Sequence, residues 1–135
     1  MNAEPAPLPE LTFDLARELE HFPEFEYGVT PEELAEYARL TAAPSDPQGR
    51  LAPGFAAIFG RLGYLREHLM PPGGILLGQD IQWLRAASSA TPLTISARVT
   101  RAEERDGKRT LVFLTTASQH GEVVAQVRIT ARWPK

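Results

Sequence analysis

Few residues in this chain can move a proton or hold a ligand, and they are widely spaced. There are three histidines, His21, His68 and His120, and no cysteine. No pair of these histidines has metal-ligand spacing, and the lack of thiols excludes disulfides, thiolate metal sites and a cysteine nucleophile. No metal and no cofactor is expected. His68 falls near the end of a helical pattern, where a cation favours the helix dipole, His21 stands beside acidic residues, and His120 occupies a turn. Each therefore has a structural reading. Asp46 is the sole carboxylate of the loop sequence LTAAPSDPQGRLAPGF and is a candidate acid or base, although Ser-Asp-Pro also suits the closing of a turn. Asp80 shares the polar side of a strand with Gln82 and reads as a solvated or interface group. Trp83 and Trp133 suit either the lining of a ligand pocket or core packing. Ser88 and Ser89 lack a nucleophile-elbow sequence.

The elements that position these groups follow from periodicity. At 135 residues the chain is long enough for one core, with a flexible tail over residues 1–12 and one domain over 13–135. Fourteen Lys and Arg against 17 Asp and Glu give a net charge of −3, and the basic residues are scattered. Nucleic acid is not an expected partner. No basic start leads into an apolar run, and no apolar run is long enough to cross a bilayer, so a cytoplasmic protein without a membrane partner is expected.

Residues 13–20 suit a short helix and 22–29 a short strand. Thr30, Pro31 and Glu33 combine a cap, a first-turn proline and a capping-box glutamate, so a helix starts there, with Leu34, Tyr37, Ala38 and Thr41 on its inward face and Pro44 as its stop. Phe55, Ile58, Phe59, Leu62, Leu65 and Leu69 predict an amphipathic core helix over 55–69, in which Gly60 and Gly63 permit close approach of another backbone. From residue 75 the period becomes two, giving strands near 75–85, 92–104, 109–119 and 122–133, with Asp106-Gly107 and His120-Gly121 as turns. In the last strand Val124 breaks the alternation. A long sheet with one apolar face needs a cover, and the helix at 55–69 is the element available.

This order, with particular residues, resembles the hot dog fold and, within it, the MaoC-like dehydratase/hydratase family. The matching stretches are Val29-Thr30-Pro31-Glu32-Glu33-Leu34-Ala35-Glu36-Tyr37-Ala38, Ala52-Pro53-Gly54-Phe55, Leu76-Leu77-Gly78-Gln79-Asp80-Ile81-Gln82-Trp83 and Gly121-Glu122-Val123-Val124-Ala125. The resemblance implies an α+β fold, a curved antiparallel sheet wrapped around one central helix. Catalytic members carry Gly-Asp-x-Asn-Pro-x-His after the first helix, and this aspartate and histidine activate water at a 2-enoyl thioester.

Here Asp46-Pro47 falls over the Asn-Pro, Gly49 stands at the histidine position and Ala43 or Pro44 near the aspartate, so the dyad is missing. The segment 86–91 also departs from the family, lacking its proline and Gly-Asp turn. The chain looks most like the non-catalytic half of a double hot dog enzyme. That likeness implies an acyl thioester ligand, on coenzyme A or acyl-carrier protein, and a homodimer or a heterodimer with a catalytic hot dog subunit. The helix start at Gly54, Phe55 and Ala56 offers unpaired backbone N–H groups for a thioester carbonyl, with Trp83 as a further binding residue. Two alternatives stand beside this reading. One is a hot dog acyl-CoA thioesterase using Glu67, on the central helix, or Asp46. The other is a cone-shaped α+β small-molecule binding or cyclase-like protein.

Overall fold

Long strands of alternating pattern, joined by turns that tolerate positive φ, build an antiparallel sheet, and a broadly apolar helix covers it. A computed structural model describes residues 7–42 and 46–135. The elements are α1 (Phe13–Leu19), β1 (Phe25–Tyr27), α2 (Pro31–Thr41), α3 (Ala56–Leu65), β2 (Ile75–Trp83), β3 (Leu93–Arg105), β4 (Lys108–Gln119) and β5 (Glu122–Trp133). The strands form one five-stranded sheet in the order β1-β3-β4-β5-β2, every pair antiparallel. Both expected hairpin turns place their two central residues at positive φ, Asp106 at 53° and Gly107 at 74°, His120 at 52° and Gly121 at 76°. The break in alternation at Val124 is a β-bulge: Ala117 pairs with Ala125 and Ser118 with Val123, so Val124 is the extra residue. Its carbonyl accepts from the Leu84 N–H at 2.8 Å.

Helix α2 begins as the sequence predicts. The Thr30 hydroxyl accepts from the Glu33 N–H at 3.1 Å, and Glu33 reaches back to the Thr30 N–H at 3.4 Å. The same carboxylate accepts from the Tyr27 hydroxyl at 2.5 Å, tying α2 to β1, and burial followed by this neighbour pushes the Tyr27 phenol up. Thr41, expected on the inward face, is exposed, and Pro44, expected to stop the helix, lies outside the described residues.

Two expectations for the core helix change. It ends at Leu65 and not at 69, because the Leu69 backbone is taken by the amino-terminal segment: Leu69 N–H donates to Pro9 O and Leu11 N–H to Leu69 O, both at 2.8 Å. Residues 9–12, assigned to the tail by sequence, are therefore docked. Leu11 is fully buried, its carbonyl accepts from the Trp133 indole at 2.7 Å, and Thr12 caps α1.

The buried face of α3 is Ala56, Phe59, Gly60, Gly63 and Tyr64, while Ile58 and Leu69 of the predicted stripe are exposed. The two glycines set this orientation. A Cβ on Gly60 would lie 2.7 Å from Val127 Cγ1, and one on Gly63 would lie 2.7 Å from Ala97 Cβ and from Thr115 Oγ1. The helix thus rests directly on β3, β4 and β5. Thr115, fully buried on the sheet, donates its hydroxyl to the Gly60 carbonyl at 2.7 Å. Tyr64 stacks on Phe113 with ring centroids 3.9 Å apart.

Two measurements test this packing. Gly63→Ala should lower stability by about 1–3 kcal/mol and the Tm by roughly 3–10 °C, because the added methyl must displace both Ala97 and Thr115. An unchanged Tm would mean that the helix is not seated on its glycines. Burial pushes the Tyr64 phenol up to about 12, against a weaker opposing pull from the Arg61 guanidinium. The folded state holds this proton more tightly than the unfolded chain, so its contribution is complete below pH 10 and is lost as the pH rises through about 12, a change of about 2–3 kcal/mol. Urea midpoints across that window should fall less steeply for Tyr64→Phe, and parallel curves would show that the phenol ionises freely in the folded protein.

Candidate functional site

The loop leading into α3 is closed by its own carboxylate. Asp46 accepts from the Gln48 N–H at 2.8 Å and from Arg50 Nε at 2.7 Å, and its carbonyl accepts from the Gly49 N–H at 3.0 Å. The Gln48 N–H, followed by the Arg50 guanidinium, holds the Asp46 carboxyl below the usual carboxylate range. Gly49 sits at φ 72°, a conformation that suits glycine. The loop is then stitched to the segment after β2: Leu51 N–H donates to Ala87 O and Ser89 N–H to Gly49 O, both at 2.8 Å. Gln119, buried at the end of β4, fixes that segment, its amide donating to Ser88 O at 2.7 Å and Thr91 O at 2.8 Å while its oxygen accepts from Ser88 N–H.

The chain then makes a 3-10 turn over Pro53–Phe55 and enters α3. The Phe55 N–H donates to Ala52 O at 3.0 Å, and the Ala56 N–H is taken up within the turn by Pro53 O and Gly54 O. The expectation of free N–H groups at Gly54, Phe55 and Ala56 is corrected accordingly. The tighter turn satisfies two of them, and of the three the Gly54 N–H is the one without a backbone acceptor among the described residues. The phenol oxygen of Tyr37 lies against Gly54, where a Cβ would come within 2.5 Å of it. The Tyr37 ring meets Phe55 edge to face at 5.4 Å.

A cleft of about 400 Å³ opens here, walled by Leu34, Tyr37 and Ala38 of α2 on one side and by Asp46, Arg50, Leu51 and Phe55 on the other. A second cleft, of about 430 Å³, adjoins it across Asp46, Arg50, Leu51 and Pro53 and reaches Trp83, Leu84 and Arg85.

Of the residues singled out by sequence, Asp46, Gly54, Phe55, Ala56 and Trp83 come together around this loop. Phe55 and Ala56 are fully buried. Trp83 donates its indole N–H to Pro53 O at 2.9 Å and packs edge to face on Phe59, so it braces the start of α3. Glu67 stands apart: α3 ends before it, and it is exposed in the bend that follows. The register places Asp80 opposite Arg128 on the outer face of the sheet.

None of the histidines lines either cleft. His21 borders β3 opposite Arg98, His120 is exposed in the β4–β5 turn, and His68 packs against the edge of Phe22 at 5.8 Å. Among the described residues no three His, Cys, Asp or Glu side chains cluster to hold a metal ion, and no helix is long and apolar enough to cross a membrane. Ala43 and Pro44, placed near the family's aspartate by sequence, lie outside the described residues. Sequence reasoning missed Tyr37, Arg50 and Gln119 as parts of the site. The first reads as an ordinary inward-facing helix residue, and the other two are joined to the loop by contacts that no local pattern announces.

No family model matches the sequence, and none of the curated proteins matches it. Solved structures do. A chain of the ChsH1-ChsH2 complex from Mycobacterium tuberculosis superposes with a TM-score of 0.69 at 8% identity, covering 89% of this chain and 87% of that one. A chain of the HadBC (3R-hydroxyacyl-ACP dehydratase) complex from the same organism gives 0.64 at 17% identity, covering 83% and 92%. The (R)-hydratase from A. caviae involved in PHA biosynthesis gives 0.59 at 20% identity, covering 83% and 93%. The chain has the hot dog fold, an antiparallel sheet curved around α3. The cone-shaped α+β alternative is set aside by that architecture.

The brace at the start of α3 is open to test. Trp83→Phe keeps the ring against Phe59 but removes the indole bond to Pro53 O, leaving that carbonyl only its bond from the Ala56 N–H, and should cost about 1 kcal/mol of stability. Hydrogen exchange at the Phe55 and Ala56 amides should quicken about fivefold, and unchanged exchange there would show that the indole bond does not hold the turn.

Proposed function

We propose that this chain binds acyl thioesters, on coenzyme A or acyl-carrier protein, without transforming them alone, as a homodimer or as the non-catalytic subunit of a (3R)-hydroxyacyl-thioester dehydratase. One observation carries the reading. The loop before α3 keeps a cleft of about 400 Å³ and presents to it a carboxylate already bonded to Gln48 and Arg50, with Gly49 where the resemblance calls for a histidine. A guanidinium does not give up its proton in this pH range, and a carboxylate held ionised by two donors is a poor base. Hydration of an enoyl thioester needs a group that takes and returns a proton near neutral pH, and the cleft has none among its lining residues. A cytoplasmic location belongs to the same proposal.

The exposed edge of the sheet supports a partner. Strand β2 is an edge strand, and Ile75, Leu76 and Leu77 on it are 58%, 61% and 50% exposed. Unpaired backbone groups flanked by such side chains invite another strand, and a hot dog subunit that brings an Asp/His loop would satisfy both the edge and the chemistry. The ChsH1-ChsH2 and HadBC structures are themselves complexes. The thioesterase reading loses Glu67, which lies past the helix and outside both clefts, and retains only Asp46.

Kinetic assays separate these readings. The purified chain alone should bind crotonyl-CoA but not hydrate it, and turnover should appear when a partner bearing the Asp/His loop is added. Robust hydration by the lone chain would refute the proposal. Release of free thiol that disappears in Asp46→Ala or Glu67→Ala would establish the thioesterase instead.

A further inference from the structure

We propose that the Tyr37 hydroxyl is the group that receives the ligand's carbonyl oxygen in the cleft between α2 and the Asp46 loop. The assignment rests on the acyl-thioester reading above and adds a specific residue to it. Tyr37 is carried on the face of α2 that lines the cleft, with Leu34 and Ala38 beside it. Its ring is held by the edge-to-face contact with Phe55, and this places the phenol oxygen against Gly54. Any side chain at position 54 would collide with that oxygen.

The hydroxyl has no hydrogen-bond partner among the described residues, in contrast to Tyr27, whose phenol is bonded to Glu33. Tyr64, the remaining tyrosine, faces a separate groove between α3 and β2. A neutral phenol donates one hydrogen bond, which a carbonyl oxygen accepts. The other polar side chains of the cleft are less suited to that oxygen. Asp46 is an acceptor that stays charged and repels it, and the Arg50 guanidinium is turned toward Asp46, to which its Nε donates at 2.7 Å. Leu34, Leu51 and Phe55 supply apolar walls that strengthen a bond made between them. No residue of α2 is fully buried, and Leu34 and Tyr37 pack on the edge of the core, so the hydroxyl stands at the cleft and not within the core. The preferred ligand is a neutral thioester carbonyl, because a free carboxylate would meet the charge of Asp46.

The test is a two-by-two titration by calorimetry, using crotonyl-CoA and S-butyl-CoA, a thioether without the carbonyl, against the wild-type protein and Tyr37→Phe. The wild type should bind crotonyl-CoA about tenfold more tightly than S-butyl-CoA. Tyr37→Phe should bind the two alike, with its affinity for S-butyl-CoA unchanged. Gly54→Ala, which pushes the hydroxyl aside by another route, should lose the same discrimination. If the wild type binds neither ligand, the acyl-thioester reading falls and takes the assignment with it. If the wild type discriminates and Tyr37→Phe discriminates equally, Tyr37 is not the carbonyl group's partner and the broader reading stands.

Discussion

The structure depends on how closely α3 can approach the sheet. Glycines at 60 and 63 remove the side chains that would hold the helix away, and the Thr115 hydroxyl, buried between the layers, finds its acceptor in the Gly60 carbonyl at 2.7 Å. An unpaired hydroxyl in that position would cost about 1–3 kcal/mol, so the bond fixes where the helix sits along the sheet as well as how close it lies. Phe59 and Tyr64 then fill the space on either side, with Phe113 stacked beneath Tyr64.

That close seating has a consequence for ligands. Val127, Ala97 and Thr115 are already in contact with the helix backbone, so no acyl chain fits between α3 and the strands it covers. Room exists beside the helix instead. One space is at its start, where α2 and the Asp46 loop enclose a cleft, and another lies along its outer side, where Arg61, Leu65 and Met70 face Leu76 and Gln79 across a groove of about 350 Å³. Of the aliphatic residues that periodicity assigns to the core, Leu65 borders this outer groove and Ile58 is exposed.

This also explains what was legible in the sequence. The long strands, the two positive-φ turns and the Thr30 capping box are written in residues a few positions apart, and the structure follows each of them. The lack of a histidine in the Asp46 loop is legible too, since it is a matter of which residue types are present. Orientation of α3 is not, because an eye for hydrophobicity ranks Leu62 and Leu65 above Gly60 and Gly63, while the deciding quantity is the clearance to Val127 and Thr115, which are more than fifty residues away in the chain. The early end of α3 has a similar origin: residues 9–11 compete for the Leu69 backbone, and nothing near Leu69 in the sequence announces them. Free N–H groups at the helix start were expected from the rule for an α-helix, and a 3-10 turn closes two of them instead.

The cleft that remains is built for a fixed charge distribution. Asp46 is held ionised by its two donors and pairs with the Arg50 guanidinium, so the charged groups at the start of α3 already satisfy each other. A site of that kind stabilises a ground-state thioester and a developing enolate through the same hydrogen bonds, without supplying the proton movement that separates them. Its binding energy goes mainly into holding the acyl group in place. Placement is nevertheless a catalytic resource when the proton-handling residues belong to another chain. Under the function proposed above, a subunit that orients the thioester while its partner supplies the acid and base needs only its cleft, its bracing tryptophan and its helix start, because each of these acts on the ligand's position.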